Sequence, residues 1–552
     1  MSTGDKRKSV QQETLAPVAV GNIRATQQPD MIGKKVALTV RIQTVGEITA
    51  SQVGGQLVNT LADISVIDRN KDTLPLLNVT GERADRIINA QKLCREIGIT
   101  AEVALDGTGH YTLSLVDIDD SQCSCRLIGV SASERTRAEE LLKRARAREI
   151  SLLTHIEKQI EDILSIQGLT GNPILAKAIR TQILASVSKG AINGTPAMIH
   201  SLLISPPGHG KGLVGRAGSI LNPVSVRISS NSITPAGLVG TSQKSHGITH
   251  VEVGKLAQAN TGVAILEDLQ HISTDSYRHT YGILCDMMEM GRLIRTTWRD
   301  VDIPVETALL ADVNPKSTVR PDAPANAVFL EDLGVPVNFL SRVDVVLCFP
   351  RDVERQIGTM LSILAETGAV GLSCATDNAR VRELRALIAV LRDNCDSVDV
   401  SGVADKVREK IEQLLTMNRE KLESLTLASD FLLRGAKSVL KLVAASARLH
   451  ARCVARTEDV GIAFDIFEGK MQFLQLLEPT FRAVENWKGD PDVQKERQRR
   501  IMQQFGGRAV KCCDVAKAFV GISSKTLQRD LKQLGATVSG RGVWEVPAQA
   551  AR

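Results

Sequence analysis

The chain has 552 residues, a net charge of +6, 43% apolar residues and only 3% aromatic ones. That length exceeds a single core, so roughly three to five domains are expected, with cores built from Leu, Ile, Val and Ala. No apolar run is long enough to span a bilayer, and the opening MSTGDKRKSVQQET lacks a hydrophobic signal region, which points to an intracellular protein without a membrane partner, cytoplasmic or at the nucleoid, nuclear in a eukaryote.

Residues 1–13 are polar and are predicted to be a disordered tail. From 14 to 130, short runs such as KKVALTVRIQTV and HYTLSLVDI alternate apolar and polar residues between Gly-rich turns, the pattern of a small β-domain, plausibly a Greek-key barrel. A helical linker is predicted over 131–165. Between 166 and 350 the apolar runs HSLLIS, SVRIS, GVAILED, TALLADVN and VDVVLCF alternate with helical stretches, which predicts an α/β core with a parallel sheet. Residues 351–485 are almost wholly helical in pattern. The last unit, 491–552, reads as two short helices and a Gly-turned hairpin, the order of a winged helix. It carries twelve Lys and Arg against five Asp and Glu, or +7, an electrostatic footprint for phosphate backbones.

The ten Cys are scattered, which suits a reducing compartment rather than a disulfide framework. Cys123 with Cys125 and Cys512 with Cys513 lack the C-x-x-C spacing of structural zinc sites, so no zinc is expected.

The stretch SPPGHGKG follows the strand HSLLIS and opens a helical run. Pro207, Gly208, His209, Gly210, Lys211, Gly212 and Leu213 would form a phosphate loop, in which glycines let backbone N–H groups face the phosphates and Lys211 neutralises charge. On these eight residues alone a Pro/Gly turn reads equally well. Downstream, GVAILEDLQ is a buried strand ending in Glu267 and Asp268, carboxylates placed to hold Mg²⁺ through water, Glu267 first, and to orient an attacking water. The strand ending in DVNP places Asn314 as a γ-phosphate sensor, and LSRVD offers Arg342.

In that order and spacing, residues 163–465 resemble the ATPase of the minichromosome maintenance (MCM) replicative helicases, a branch of the AAA+ superfamily. GVAILEDL is similar to the family's Walker B strand, ALLADVNP to its sensor 1, NFLSRVDVVLCF to its arginine-finger segment, and LLRGAKSVLKLV to its lid, with Arg434 as sensor 2. The β-rich start is similar to the family's oligonucleotide-binding (OB) N-terminal domain. The resemblance implies a homohexameric ring that hydrolyses ATP with Mg²⁺ in DNA replication, Arg342 and Arg434 reaching the ATP of a neighbouring subunit. It also implies two pore hairpins: SQKSHGITHVEVG, with Lys244 and His246, and RLIRTTWRDVDIPV, with Arg295, Trp298 and Arg299. Basic and aromatic side chains suit single-stranded DNA, although Trp298 reads equally well as a packing residue. In the tail, Lys525, Arg529 and Lys532 are the candidates for duplex DNA, with a protein-docking winged helix as the alternative.

Three departures stand out. Gly212 replaces the Ser or Thr that ligates Mg²⁺ in the family; the acidic pair is inverted, Glu267 before Asp268; and three Cys in the first 130 residues leave no counterpart of the family's zinc insert. An ATP-driven helicase or translocase is the leading expectation, with slow turnover. A DNA clamp that binds ATP with little hydrolysis and a chelatase-type AAA+ remodeller are the alternatives.

Overall fold

A computed structural model describes residues 31–478, apart from 47, 54–55, 68–72, 93–95, 120–129, 165–171, 193, 207–208, 223, 246–247, 274–275, 297–299, 316–327, 350–378 and 419–427, and residues 498–547 apart from 500, 503, 512–513, 516–523 and 541–542. The first unit contains β1 (Lys35–Val45), the hairpin β2 (Ile48–Val53) and β3 (Gln56–Leu61), β4 (Ile64–Ile67), β5 (Thr73–Leu77), α1 (Glu82–Lys92), β6 (Glu96–Leu105) and β7 (Tyr111–Asp119). In β1 every second side chain, Val36, Leu38, Val40 and Ile42, is buried, as a strand with one face on a core requires. Five strands close on themselves in the order β1-β4-β5-β7-β6, with β6 returning to β1 from Lys35↔Glu102 to Arg41↔Glu96. The β5–β7 pair is parallel and the other four are antiparallel. A small closed barrel results, in which closure removes the long sheet edges and leaves only strand ends, such as that of β1, beyond the pairing.

Helices α2 (Ala132–Arg146), α3 (Leu152–Leu164) and α4 (Pro173–Val187) follow. A capping box, Ser131 with Glu134, starts α2. Ala138, Leu142, Leu152, Ile156 and Ile160 join the same core cluster as the central sheet, so α2 and α3 pack as part of that body. The sheet comprises β8 (Ser201–Ile204), β9 (Ser225–Ser229), β12 (Val263–Glu267), β15 (Ala308–Val313) and β16 (Val345–Cys348), in the order β9-β12-β15-β8-β16 with all pairings parallel. These five strands match the five apolar runs of the sequence. Both faces are covered, which is why β8 and most of β12 are buried at successive positions. Helix α5 (Lys211–Leu221) follows β8 and packs closely on α4: a Cβ on Gly218 would lie 3.3 Å from Gln182 Oε1.

Between β9 and β12 runs the hairpin β10 (Gly240–Ser245) and β11 (Ile248–Val253). It joins the barrel: β11 pairs with the end of β1 through Thr44↔His250 and Val45↔Thr249. Nearby, Arg41 Nη2 donates to Ala257 O at 3.4 Å and pairs with Glu96 at 3.0 Å. After β12 come α6 (Tyr277–Met290), the hairpin β13 (Arg292–Thr296) and β14 (Asp300–Pro304), then β15, α7 (Val337–Arg342) and β16.

Helices α8 (Ala379–Asn394), α9 (Ala404–Met417), α10 (Ala428–Leu449) and α11 (Thr457–Leu476) complete this body. One buried ionic cluster joins α10 to the sheet. Asp344, 2% exposed, accepts from His200 N at 2.9 Å, Lys441 Nζ at 3.1 Å and Ser438 Oγ at 2.7 Å. Burial opposes its ionisation, but Lys441 and the donors around it prevail and hold the carboxyl below its ordinary value. On α11, buried Lys470 donates to Val343 O.

The expectation of thiols throughout fails at one place: Cys395 and Cys453 are joined by a disulfide, their Cα atoms 5.6 Å apart. The end of α8 and the loop before α11 meet because Asp399 N donates to Cys453 O at 2.9 Å and Ala455 N to Asp399 O at 2.8 Å. A separation of 58 residues hid that contact in the sequence. In the tail, β17 (Ala509–Lys511), α12 (Ser524–Gln533), β18 (Thr537–Gly540) and β19 (Val543–Glu545) surround Ile501, Leu527, Leu531 and Trp544, with the strands in the antiparallel order β17-β19-β18. Among the described residues no helix is long and apolar enough to cross a membrane.

His200 yields a pH prediction. Burial, with Lys441 adding and Asp344 opposing, pushes its imidazole down to about 3 from 6.5, and neither ring nitrogen has a hydrogen-bond partner among the described residues. Between those two values the unfolded chain binds a proton that the folded chain refuses, so stability rises with pH across that window and falls on acidification below 6.5. The folding equilibrium should weaken by up to roughly tenfold per pH unit from this group. His200→Leu, which gives up no side-chain hydrogen bond, should flatten the profile in denaturant melts; an equally steep variant would count against this origin.

Candidate active site

The loop after β8 is tied to the neighbouring strand, as Ser205 N donates to Val313 O at 3.2 Å. Pro207 and Gly208 lie outside the described residues. His209 Nδ1 meets Pro206 O at 3.2 Å. Gly210 takes φ +86° as the N-cap of α5, a left-handed conformation that costs glycine little and other residues more. Lys211 is the first residue of α5, and no side chain caps the helix, so first-turn N–H groups remain for an anion. Leu213 N is taken up locally by Gly210 O at 2.9 Å. A Cβ on Gly212 would meet nothing within 4 Å; the missing hydroxyl is not excluded by crowding.

Lys211 ends among polar groups from two other strands. Its Nζ pairs with Asp312 Oδ1 at 3.1 Å, both side chains under one-fifth exposed, and donates to Asn314 Oδ1. Asn314 Nδ2 in turn donates to Asp268 Oδ1 at 2.7 Å, and Gln270 Nε2 to the same oxygen at 3.1 Å. Gln270 Oε1 accepts from Asn314 N at 3.0 Å, and Asp312 Oδ1 from Asp268 N at 3.1 Å. Asp268 sits at φ +57°, ψ +55°, a strained backbone for a residue with a Cβ, held by these bonds. The structure thus unites Lys211, Asp268 and Asn314, and adds Asp312 and Gln270, which the sequence reading missed. Asp312 carried a usable signal: it is the next-to-last residue of the strand Ala308–Val313 that Asn314 directly follows, two positions before it, so an extended chain turns both to one side.

Glu267 stands apart from this network. Its side chain is 42% exposed and lies 3.8 Å from Arg227 of β9, itself half exposed. Such a pair is weak and screened.

Arg342 and Arg434 are brought to each other rather than to Lys211. Arg342 Nε lies 2.8 Å from Glu289 Oε2, and Arg434 Nη1 donates to the same oxygen at 2.7 Å. Burial opposes ionisation of Glu289, but the guanidiniums outweigh it and hold the carboxyl below its ordinary value. Arg342 Nη1 also donates to Asn338 O at 2.9 Å. Glu289, near the end of α6, was not singled out in the sequence, because its partners lie on α7 and α10.

Of the candidate nucleic-acid residues, His246, Trp298 and Arg299 lie outside the described residues, as do the side chains of Lys244, Arg295 and Lys525. The backbone places Lys244 on β10 opposite Thr249, Arg295 on β13 opposite Val301, and Lys525 in the first turn of α12. Arg529 and Lys532 are exposed on α12, three residues apart and so on one face, while Leu527, Asp530 and Leu531 are buried. Among the described residues no three His, Cys, Asp or Glu side chains form a ready metal cage.

A parallel α/β sheet, a glycine-capped helix after its strand β8, and a lysine facing acidic and amide groups at the strands' carboxyl ends define a P-loop nucleotide-binding domain. Residues 145–363 match the sequence model of the MCM P-loop domain. A stretch of 230 residues, 40% of the chain, is 23% identical to an uncharacterized MCM-type protein of Methanocaldococcus jannaschii, of which it covers 29%. Residues 145–363 are thus similar to an MCM P-loop domain, and an AAA+ α/β fold follows for that region. The chain matches less than a third of that relative's length.

The open space at Gly212 makes its replacement informative. Gly212→Ser fits without a clash, so melting temperature and nucleotide affinity should stay near those of the parent. Single-turnover ATP cleavage should change little in that variant. It should rise most when Glu267→Asp and Asp268→Glu are added, if the longer Glu267 compensates for the hydroxyl missing at position 212. A cycle of these variants measures the coupling, and purely additive effects would refute it.

Proposed function

We propose that the chain is an ATP-driven DNA translocase of the helicase kind, acting in DNA replication as a homohexameric ring with ATP between subunits. The observation that carries this reading is the division of the charged groups. Lys211, Asp268, Asp312 and Asn314 converge at one edge of the sheet, whereas Arg342 and Arg434 gather elsewhere on Glu289. Among the described residues no arginine is hydrogen-bonded into the Lys211 network and no lysine is paired with Glu289, and two such sites complement each other when two copies meet.

The residues fit a nucleoside triphosphate. The first turn of α5 and Lys211 would bind the phosphates, which exchange for Asp312 and Asn314 as partners of Nζ. Asp268 would orient the attacking water and accept its proton, with Asn314 fixing that carboxylate by the bond it already makes. Mg²⁺, when bound, supplies charge neutralisation between the phosphates; it is commonly held by one or two carboxylates plus phosphate oxygens, and Glu267, through water, is the carboxylate for it. Arg342 and Arg434 of the neighbouring copy would stabilise charge developing on the γ-phosphate.

For DNA, we read the barrel as an oligonucleotide-binding module, the two ATPase hairpins as pore elements, helices α8–α11 as the lid, and the basic tail as a winged helix presenting Lys525, Arg529 and Lys532 to a duplex. A passive clamp is the second reading, favoured by Gly212 and by the distance of Glu267 from the Lys211 network.

ATP turnover by the purified chain, with and without single-stranded DNA, tests the proposal. Lys211→Ala should abolish nucleotide binding, since the loop loses its fixed positive charge; unchanged affinity would sink the assignment. No cleavage by the parent on DNA would favour the clamp. Deleting 491–552 should weaken duplex binding by roughly tenfold or more at low salt and flatten its salt dependence, whereas equal affinity would make the tail a protein-docking unit.

A further inference from the structure

Asp344 stands two residues beyond Arg342, and its three bonds reach two separate parts of the ATPase. The His200 N–H fixes the approach to β8, whose far end leads to Lys211. Ser438 and Lys441 belong to α10, one and two turns beyond Arg434. Lys441 also donates to Met198 O at 3.1 Å. Its own chain position anchors the end of α7, where Arg342 lies.

We propose that Asp344 is a positioning residue: by bonding Ser438 and Lys441 it sets α10 against α7, and so holds Arg342 and Arg434 as a pair spaced to reach one polyphosphate on the next subunit. This rests on the reading that both arginines act in trans. Glu289 meets both guanidiniums at the surface, yet it is 42% exposed, and its carboxylate gives no fixed spacing between two helices. Asp344 does, because it is buried and its donors His200, Ser438 and Lys441 are held by the sheet body and by α10. A purely structural tie between helix and sheet is met more simply by apolar packing, since replacing a buried ion pair with well-fitted apolar groups is often neutral or stabilising. What the carboxylate adds is direction.

Two variants separate positioning from folding. Asp344→Asn removes the charge and strands Lys441, so its melting temperature should fall. Ser438→Ala leaves the Asp344–Lys441 pair intact and removes the bond to Asp344 together with the hydroxyl's other one, to Arg434 O at 3.1 Å within α10, so it should melt near the parent. Both should bind nucleotide as the parent does and cleave it on the order of tenfold to a hundredfold more slowly, the penalty of a displaced catalytic group. Each is then mixed with Lys211→Ala, whose protomers bind no ATP but carry intact arginines. Turnover should recover, because the neighbour supplies what the variant misplaces. Arg342→Ala mixed with Lys211→Ala is the control. No recovery there, or no turnover in the parent, overturns the trans reading itself. Recovery in the control but not with Ser438→Ala, or parental turnover by Ser438→Ala alone, overturns the role of Asp344. Should Asp344→Asn fail to fold, Ser438→Ala decides.

Discussion

Parallel pairing in strict register is the constraint on which the site depends. Leu203 of β8 lies opposite Asp312 of β15, and Leu266 of β12 opposite Ala311, so the strands end together along one edge. Each then releases its polar residue at the same level: Lys211 just beyond β8, Asp268 just beyond β12, Asp312 and Asn314 at the end of β15. A shift of one residue in any pair would turn those side chains to the opposite face. Burial on both faces resists that shift, since every position of β8 is buried and apolar residues fill the inner part of β12. The chemistry at the edge is therefore held by packing far from it.

That dependence explains what was legible in the sequence. The five central strands stood out as short apolar runs, and the phosphate loop, the acidic pair and Asn314 sit at their ends, where local reading works. Glu289 and Gln270 did not stand out. Each is an ordinary polar residue whose meaning lies in partners 44 to 145 positions away, and no periodicity carries that information. The Cys395–Cys453 link was hidden for the same reason. Glu267, read from its motif position as the carboxylate for Mg²⁺ through water, has its partly exposed side chain beside Arg227, a neighbour that no local pattern showed.

Two charged clusters divide the polar interior of the P-loop domain. The Lys211 network is partly exposed and built from groups able to exchange partners. The Asp344 cluster is sealed, and its members bond backbone atoms and one another. Exchangeable polar groups suit a site that must admit and release an anion; sealed ones suit a joint that must keep its angle.

The pairing of β11 with β1 bears on how the chain comes to be built. Thr44 and His250 lie side by side, although the barrel that holds one is made long before the hairpin that holds the other. A contact of such sequence separation forms late, after both bodies have their own cores. During synthesis the end of β1 therefore waits with backbone groups unmatched, a short edge open to the wrong strand. At two paired residues the exposed length is small, and the brevity of this joint is itself a protection against misassembly.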